Sequence, residues 1–359
     1  MKAHRSALGA ALLAAALLVT GCTGAPGAGS GSTAGSSDAS AASPSDGFPV
    51  TFEHAYGETE IVSKPERIVT LGWISHDIVA ALGIVPVGVT EAWGGDEEGY
   101  TTWFREHVEN VLGAEVPGIV PWGEDGVDYE ALLALDPDLI LAPYSGFTEV
   151  EYERLSEIAP TIVHAERAWA AGSWQDLTAL VGTAIGEKAA ADDLIESVSA
   201  RIDEEVQQHP NLAGTSFIYT TSGGEGLTEL ALYISEDARV AFLHELGLVD
   251  SPSLASATSG VGNDMWYGGV SLEELDGIDT DLVVSWSYLP EETQYTLQNP
   301  LIARWAPIAA GRYYFIDDPA MSSATSAPSV LSIPWALDEG YVDDLSSAID
   351  GGAVIREIR

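Results

Sequence analysis

A single cysteine, Cys22, stands in 359 residues. No intramolecular disulfide can form and no cysteine-based zinc site can be built. Cations are also scarce: 14 Lys and Arg face 55 Asp and Glu, a formal charge of −41. A surface of that sign repels phosphate, which argues against nucleic acid as a partner. It equally disfavours docking on anionic lipid through basic patches. Enzyme signatures are missing too. The string TTSGGEG (220–226) lacks the Gly-x-Ser-x-Gly order of a nucleophile elbow. No His–Glu pair has the spacing of a zinc protease. With 46% apolar residues the chain is nonetheless too apolar to be disordered, and its length suits two domains.

The N-terminus accounts for the cysteine. Lys2 and Arg5 precede an Ala/Leu-rich run from Ala7 to Thr20, which ends in LVTGC. That run is short for a membrane span and suits a signal peptide over residues 1–21. LVTGC resembles the lipobox of bacterial lipoproteins, in which Cys22 is lipidated and becomes the first mature residue. The alternative is a soluble signal peptide with a chance cysteine. Residues 22–47 are Gly, Ser and Ala with almost no large apolar side chain, so they read as a flexible tether. GAGSGS within it is no phosphate loop, because no strand precedes it and no helix follows.

From Phe48 onward, β-branched runs (RIVTLG, VPVGV, DLILAP, TIVHA, SFIYTT, DLVVSW, RYYFID) alternate with helical patterns such as SHDIVAALG and EYERLSEIA. This is the pattern of an α/β protein with mostly parallel sheets. The middle breaks the rhythm. Ser173 to Asp176 fits a capping box, and a second helix over 187–209, stopped by Pro210, would be about 33 Å long. The expected organisation is an N-terminal lobe over 48–172, connecting helices over 173–210 and a C-terminal lobe over 211–359; one large domain with a long surface helix is the alternative. A repeat supports two lobes: YEALLALDPDLILA (129–142) matches LEELDGIDTDLVVS (272–285) at an offset of 143, with Asp138 on Asp281.

The string KPERIVTLGWISHDIVAALGIVPVGV (64–89) resembles the opening of the ferric-siderophore and vitamin-B12 class of ABC-transporter substrate-binding proteins. LLALDPDLILA, LSEIAPTIV, VSLEELDGIDTDLVV and RYYFIDDP follow in that family's order, and PSVLSIPWALDE is similar to its iron-siderophore branch. The resemblance covers about residues 48–345. It implies two Rossmann-like α/β lobes joined by one long helix, a ligand cleft between them, and delivery to a permease without chemistry. It also implies an exposed acid on each lobe that docks on the permease. Family spacing puts these at Glu149 and, by the offset of 143, at Glu292; Glu151 and Glu291 are the nearest competitors.

Ligands in open α/β sheets sit beyond the carboxyl ends of the strands. Those positions hold Trp73, Trp93, Trp122, Tyr144, Tyr219, Trp286 and Tyr288, with Trp266 and Tyr267 by a Gly-rich loop. Ten Trp against seven Phe is an unusual balance. Broad rings with one polar atom suit a bulky organic chelate, although each ring on its own also reads as half-buried core. The loops themselves carry no Lys or Arg, which favours a neutral or cationic ferric complex, such as a ferric hydroxamate, over a polyanionic one. Arg105, Arg167 and Arg239 lie in flanking segments from which a cation can still reach in. Of the histidines, His76 alone falls at an expected cleft turn, where it reads as a helix cap before a metal ligand. GGDEEG (94–99) and EDGVD (124–128) read as solvated acidic loops before calcium sites. The expectation is a monomeric, lipid-anchored, non-enzymatic receptor for ferric siderophores on the outer face of the cytoplasmic membrane, with no cofactor. The alternatives are a binder of cobalamin, haem or a bare metal ion, and last a hydrolase.

Overall fold

Two sheets organise the chain, and the computed structural model describes residues 47–123, 126–170, 172–262 and 265–357. Cys22, the signal segment and nearly all of the tether lie outside the described residues. The first sheet has five strands, all parallel, in the order Gly118–Val120, Gly88–Thr90, Ile68–Thr70, Leu139–Ala142 and Thr161–Val163. The central strands, Ile68–Thr70 and Leu139–Ala142, are buried at every position, as strands covered on both faces must be. The second sheet runs Tyr267–Ser271, Glu229–Tyr233, Ser216–Thr221, Leu282–Trp286, Tyr313–Ile316 and Val354–Arg356, and Val249–Asp250 also pairs with Ser216–Thr221. Its pairings from Ser216–Thr221 through Val354–Arg356 are parallel; Glu229–Tyr233 and Tyr267–Ser271 add an antiparallel flank.

The connection between the sheets is helical. Ser173 accepts from the Asp176 amide and Asp176 answers on the Ser173 amide, a capping box that opens the helix Trp174–Ala184. Lys188–Gln208 follows, a helix of 21 residues and so about 31 Å long. Ala191, Val198 and Ile202 form its buried stripe. Gly182 lets the two helices approach: a Cβ there would lie 2.3 Å from that of Ala191. Arg201 ties the long helix to Asp338 at 3.0 Å. The largest hydrophobic cluster contains Ile68 and Leu139 from the first sheet, Trp174 and Val198 from the connector, and Phe217 and Leu282 from the second. The lobes therefore share one continuous core.

The repeat proves structural. Asp138 accepts from the amides of Glu66 and Arg67 at the start of strand Ile68–Thr70. Asp281 accepts from the Ser216 amide at the start of strand Ser216–Thr221. One residue before each copy, Asp128 and Ser271 cap the following turn. The copies differ in winding: Tyr129–Ala134 is α-helical, whereas Leu272–Gly277, which ends in the poor helix formers Asp276 and Gly277, is a 3₁₀ helix.

Candidate functional site

Three strand ends of the first sheet converge on one aromatic wall. After Ile68–Thr70 the chain turns at Gly72, with φ of 85° and no room for a Cβ beside the Tyr144 carbonyl, and that turn presents Trp73. The Trp73 amide donates to Tyr144 O at 3.0 Å, which joins the ends of two adjacent strands. The Trp73 ring lies 5.6 Å from Tyr144 and 6.0 Å from Trp169. Trp169 follows the edge strand Thr161–Val163 and holds a left-handed backbone, φ 61°, which an L-residue adopts only under constraint.

The opposite wall comes from the second half. Trp73, Tyr144 and Trp169 line a cavity of about 370 Å³ together with Arg167, Asp237, Arg239 and Trp266. Asp237 caps the helix Ala238–Glu245 and pairs with Arg239, Nη1 to Oδ2, at 3.0 Å. Arg239 Nε also donates to Ser326 Oγ at 3.1 Å. Its guanidinium lies 4.8 Å from the centre of the Tyr233 ring and 5.8 Å from that of Trp286. Burial raises the pKa of Asp237 despite the pull of Arg239, and burial likewise raises that of Tyr144. Arg167 stacks over Trp266 at 3.6 Å.

The aromatic residues singled out in the sequence thus divide. Trp73, Tyr144 and Trp266 line the cavity. Trp93 packs 5.3 Å from Trp286 and 6.4 Å from Tyr288, beside a smaller adjoining cavity that it lines with Trp73. Trp286 itself is buried, donating Nε1 to Tyr233 Oη at 3.1 Å, and Tyr288 is exposed. Trp122 is a second row, stacked 4.5 Å from Phe147 and 6.3 Å from Trp169. Tyr219 is core, at 1% exposure, and Tyr267 faces solvent at the sheet edge; neither lines the cavity.

One reservation is met and two readings are corrected. The strand-end loops are free of cations, but Arg167 and Arg239 reach the cavity from flanking segments. Arg105 does not; it is held by Asp96 and Glu98, each at 2.6 Å, which offsets part of the charge of the GGDEEG loop. His76 does not cap its helix, whose N-cap is Ile74; it is buried in the first turn, 4.9 Å from Phe104. Of EDGVD, Glu124 and Asp125 lie outside the described residues, and Asp128 caps a helix. Trp169 was missed because it stands six residues past the strand Thr161–Val163, twice as far as Trp73 stands past Ile68–Thr70.

The proposed docking acids also differ in setting. Glu149 is exposed at the first position of the helix Glu149–Ser156. Glu292 is half-buried at the third position of Pro290–Gln298, accepting from the Tyr288 amide at 2.9 Å. Glu151, not Glu149, holds the matching capping-box role in the first lobe.

Known proteins fit this architecture. A family model described as periplasmic binding protein matches residues 68–318. A probable siderophore-binding lipoprotein of Bacillus subtilis is 26% identical over 298 residues, covering 80% of this chain and 86% of the relative. The Fe(3+) dicitrate-binding periplasmic protein of Escherichia coli is 26% identical over 215 residues, 59% of this chain and 65% of that one. PiaA of Streptococcus pneumoniae, solved in complex with ferrichrome, superposes with a TM-score of 0.75 at 30% identity, covering 84% of this chain and 99% of that chain.

Proposed function

The chain belongs to the periplasmic binding protein family, and on that premise we propose that it is the extracytoplasmic receptor of an ABC importer for a ferric siderophore of the hydroxamate type. The observation that carries this is the cavity between the strand ends of both sheets, walled by Trp73, Tyr144, Trp169 and Trp266, with Arg239 among its donors. Aromatic faces cover the organic shell of a chelate, and a guanidinium offers charge-assisted bonds to hydroxamate oxygens. The fold shared with a ferrichrome-bound protein supports the same class.

The reading needs no catalytic step. Among the described residues no helix is long and apolar enough to cross a membrane, and no group of three metal-binding side chains comes together. Lipid on Cys22 would hold the receptor at the outer face of the cytoplasmic membrane. Glu149 and Glu292 would dock the lobes on the permease, with Glu291 the exposed acid beside the capping Glu292.

The test is a fluorescence titration of the mature protein with ferrichrome, ferrioxamine B, ferric citrate, cobalamin, haem and Zn²⁺. Cavity-wall indoles should be quenched most strongly, and at lowest concentration, by the ferric hydroxamates. Tighter binding of cobalamin, haem or bare Zn²⁺ refutes the siderophore reading, and tighter binding of ferric citrate refutes the hydroxamate class alone.

A further inference from the structure

Next to the chelate cavity, and sharing Trp73 with it, lies a second cavity of about 40 Å³. That space admits a group the size of a few water molecules and excludes a ferric chelate. Three indoles line it, Trp73, Trp93 and Trp103, together with Asp77 and Glu91. Among the described residues no lysine or arginine lines it. In this it differs from the larger cavity, where Arg167 and Arg239 stand beside Glu236 and Asp237.

Asp77 makes the small cavity chemically specific. Its side chain is 2% exposed. Oδ2 accepts from Trp103 Nε1 at 2.8 Å and from Ser329 Oγ at 2.5 Å. Among the described residues Oδ1 receives no hydrogen bond; His76 Nε2 lies 3.4 Å from it, on a ring whose pKa burial lowers. The Thr101 hydroxyl, also in the wall, is buried without a partner. Burial raises the pKa of Asp77 against the pull of His76, Ser329 and Trp103, so its ionised form, with one oxygen lacking a donor, is costly unless a cation fills the space. Trp103 turns its N–H edge to Asp77, and the other indoles lining the same space as this carboxylate favour a cation. The volume selects a compact one, and an ammonium brings three donors on one small head.

We propose that this cavity is a subsite for a primary ammonium carried on a flexible arm by the bound ferric chelate. The inference rests on the siderophore reading above and narrows it to amine-bearing chelates. With the chelate in the large cavity, its arm passes Trp73, and the ammonium meets Asp77 Oδ1 and the Trp93 and Trp103 rings. Glu91, on the exposed side, lies along the entry.

The test compares ferrioxamine B, a trishydroxamate ending in an ammonium, with its N-acetylated form, which keeps the chelate and loses the charge. Titrations are run at about 0.5 M NaCl, where the field of the acidic surface is screened to a few ångströms. The parent should prefer the amine by about tenfold, between the exposed and the fully desolvated values of one cation–aromatic contact. Asp77→Asn and Glu91→Gln should each reduce that ratio. Glu91→Gln serves if Asp77→Asn fails to fold, because Glu91 is exposed. A parent ratio within twofold overturns the subsite and leaves the hydroxamate reading standing. A tenfold ratio that survives both substitutions overturns the assignment to this cavity. Failure to bind either chelate overturns the subsite, and the hydroxamate class then stands or falls on the ferrichrome titration.

Discussion

Replacing Arg239 by alanine should damage stability and binding through separable routes. Arg239 and Asp237 are 13% and 5% exposed at the side chain, with Nη1–Oδ2 at 3.0 Å. Truncating one partner of such a pair strands the other, at a cost of about 3–5 kcal/mol when fully buried. Here Asp237 keeps one donor, the Arg239 amide at 2.9 Å, and the cavity admits water, so the lower figure of about 3 kcal/mol applies. Adding Asp237→Asn removes the stranded charge and should recover most of that loss. Binding behaves differently. A lost charge-assisted hydrogen bond is worth about 1.5–3 kcal/mol, or about 10- to 150-fold in affinity for a ferric hydroxamate, and Asp237→Asn cannot restore it. Urea unfolding followed by circular dichroism gives the first quantity, and ferrichrome titration the second. Arg239→Ala binding within twofold of the parent would refute the ligand role. An Asp237→Asn double variant no more stable than Arg239→Ala would refute the stranded-charge account.

Three further outcomes are expected. Cys22→Ser should appear in the soluble fraction of cells; firm membrane retention would place the anchor elsewhere. Glu149→Gln with Glu292→Gln removes both docking charges, while the amide side chain introduced at position 292 can still cap its helix, so ferric chelate binding should hold and cellular uptake should fall; normal uptake counts against the assignment. His164 has its pKa lowered from 6.5 by burial first and by His54 second, with Tyr56 packed 5.5 Å away. The unfolded chain then binds more protons just below pH 6.5, so stability is lost as pH falls through that window. Burial raises Asp77, Asp237 and Glu245, which act in the opposite sense, so the readout is a difference between variants. His164→Phe should lose less Tm than the parent between pH 7 and pH 5, and equal losses would exclude the effect.

The fold was legible because it is written in long-period signals. Buried runs such as Leu139–Ala142, the Ser173–Asp176 box and the 143-residue repeat each report local structure that tertiary context did not override. The repeat even marks the Asp138 and Asp281 contacts, since both acids bond the chain entering the adjacent strand. Domain separation was less legible, because helix faces at Trp174 and Val198 fuse two cores into one cluster. The site was half legible. A strand-end rule locates Trp73 and Tyr144 but does not tell wall from core, and so it also selects Tyr219, whose ring turns into the sheet packing. Cations reach the cavity along side chains several bonds long. A count of charges within loops therefore misses Arg239, which enters from the first turn of a helix. The repeat offset does not extend to the helix starts beside the docking acids: Glu149–Ser156 and Pro290–Gln298 begin two residues out of register under it.

Long-range and local electrostatics oppose each other at this cleft, and the balance decides how an anionic chelate fares. Locally, Arg167 and Arg239 attract anions, although Asp237 and Glu236 beside them cancel much of that charge. At a distance, the formal charge of −41 repels an anion along its whole approach. The distant field is the one that salt removes, since the screening length falls from about 30 Å at 0.01 M to about 3 Å at 1 M. The association rate of anionic ferric citrate should therefore rise with salt, by about tenfold, the lower end of steering effects. Neutral ferrichrome should associate at a rate indifferent to salt. Stopped-flow tryptophan fluorescence measures both. A ferric citrate rate that falls with salt would show that the two arginines, rather than the acidic surface, govern capture, and the preference for uncharged or cationic chelates would then have no electrostatic basis.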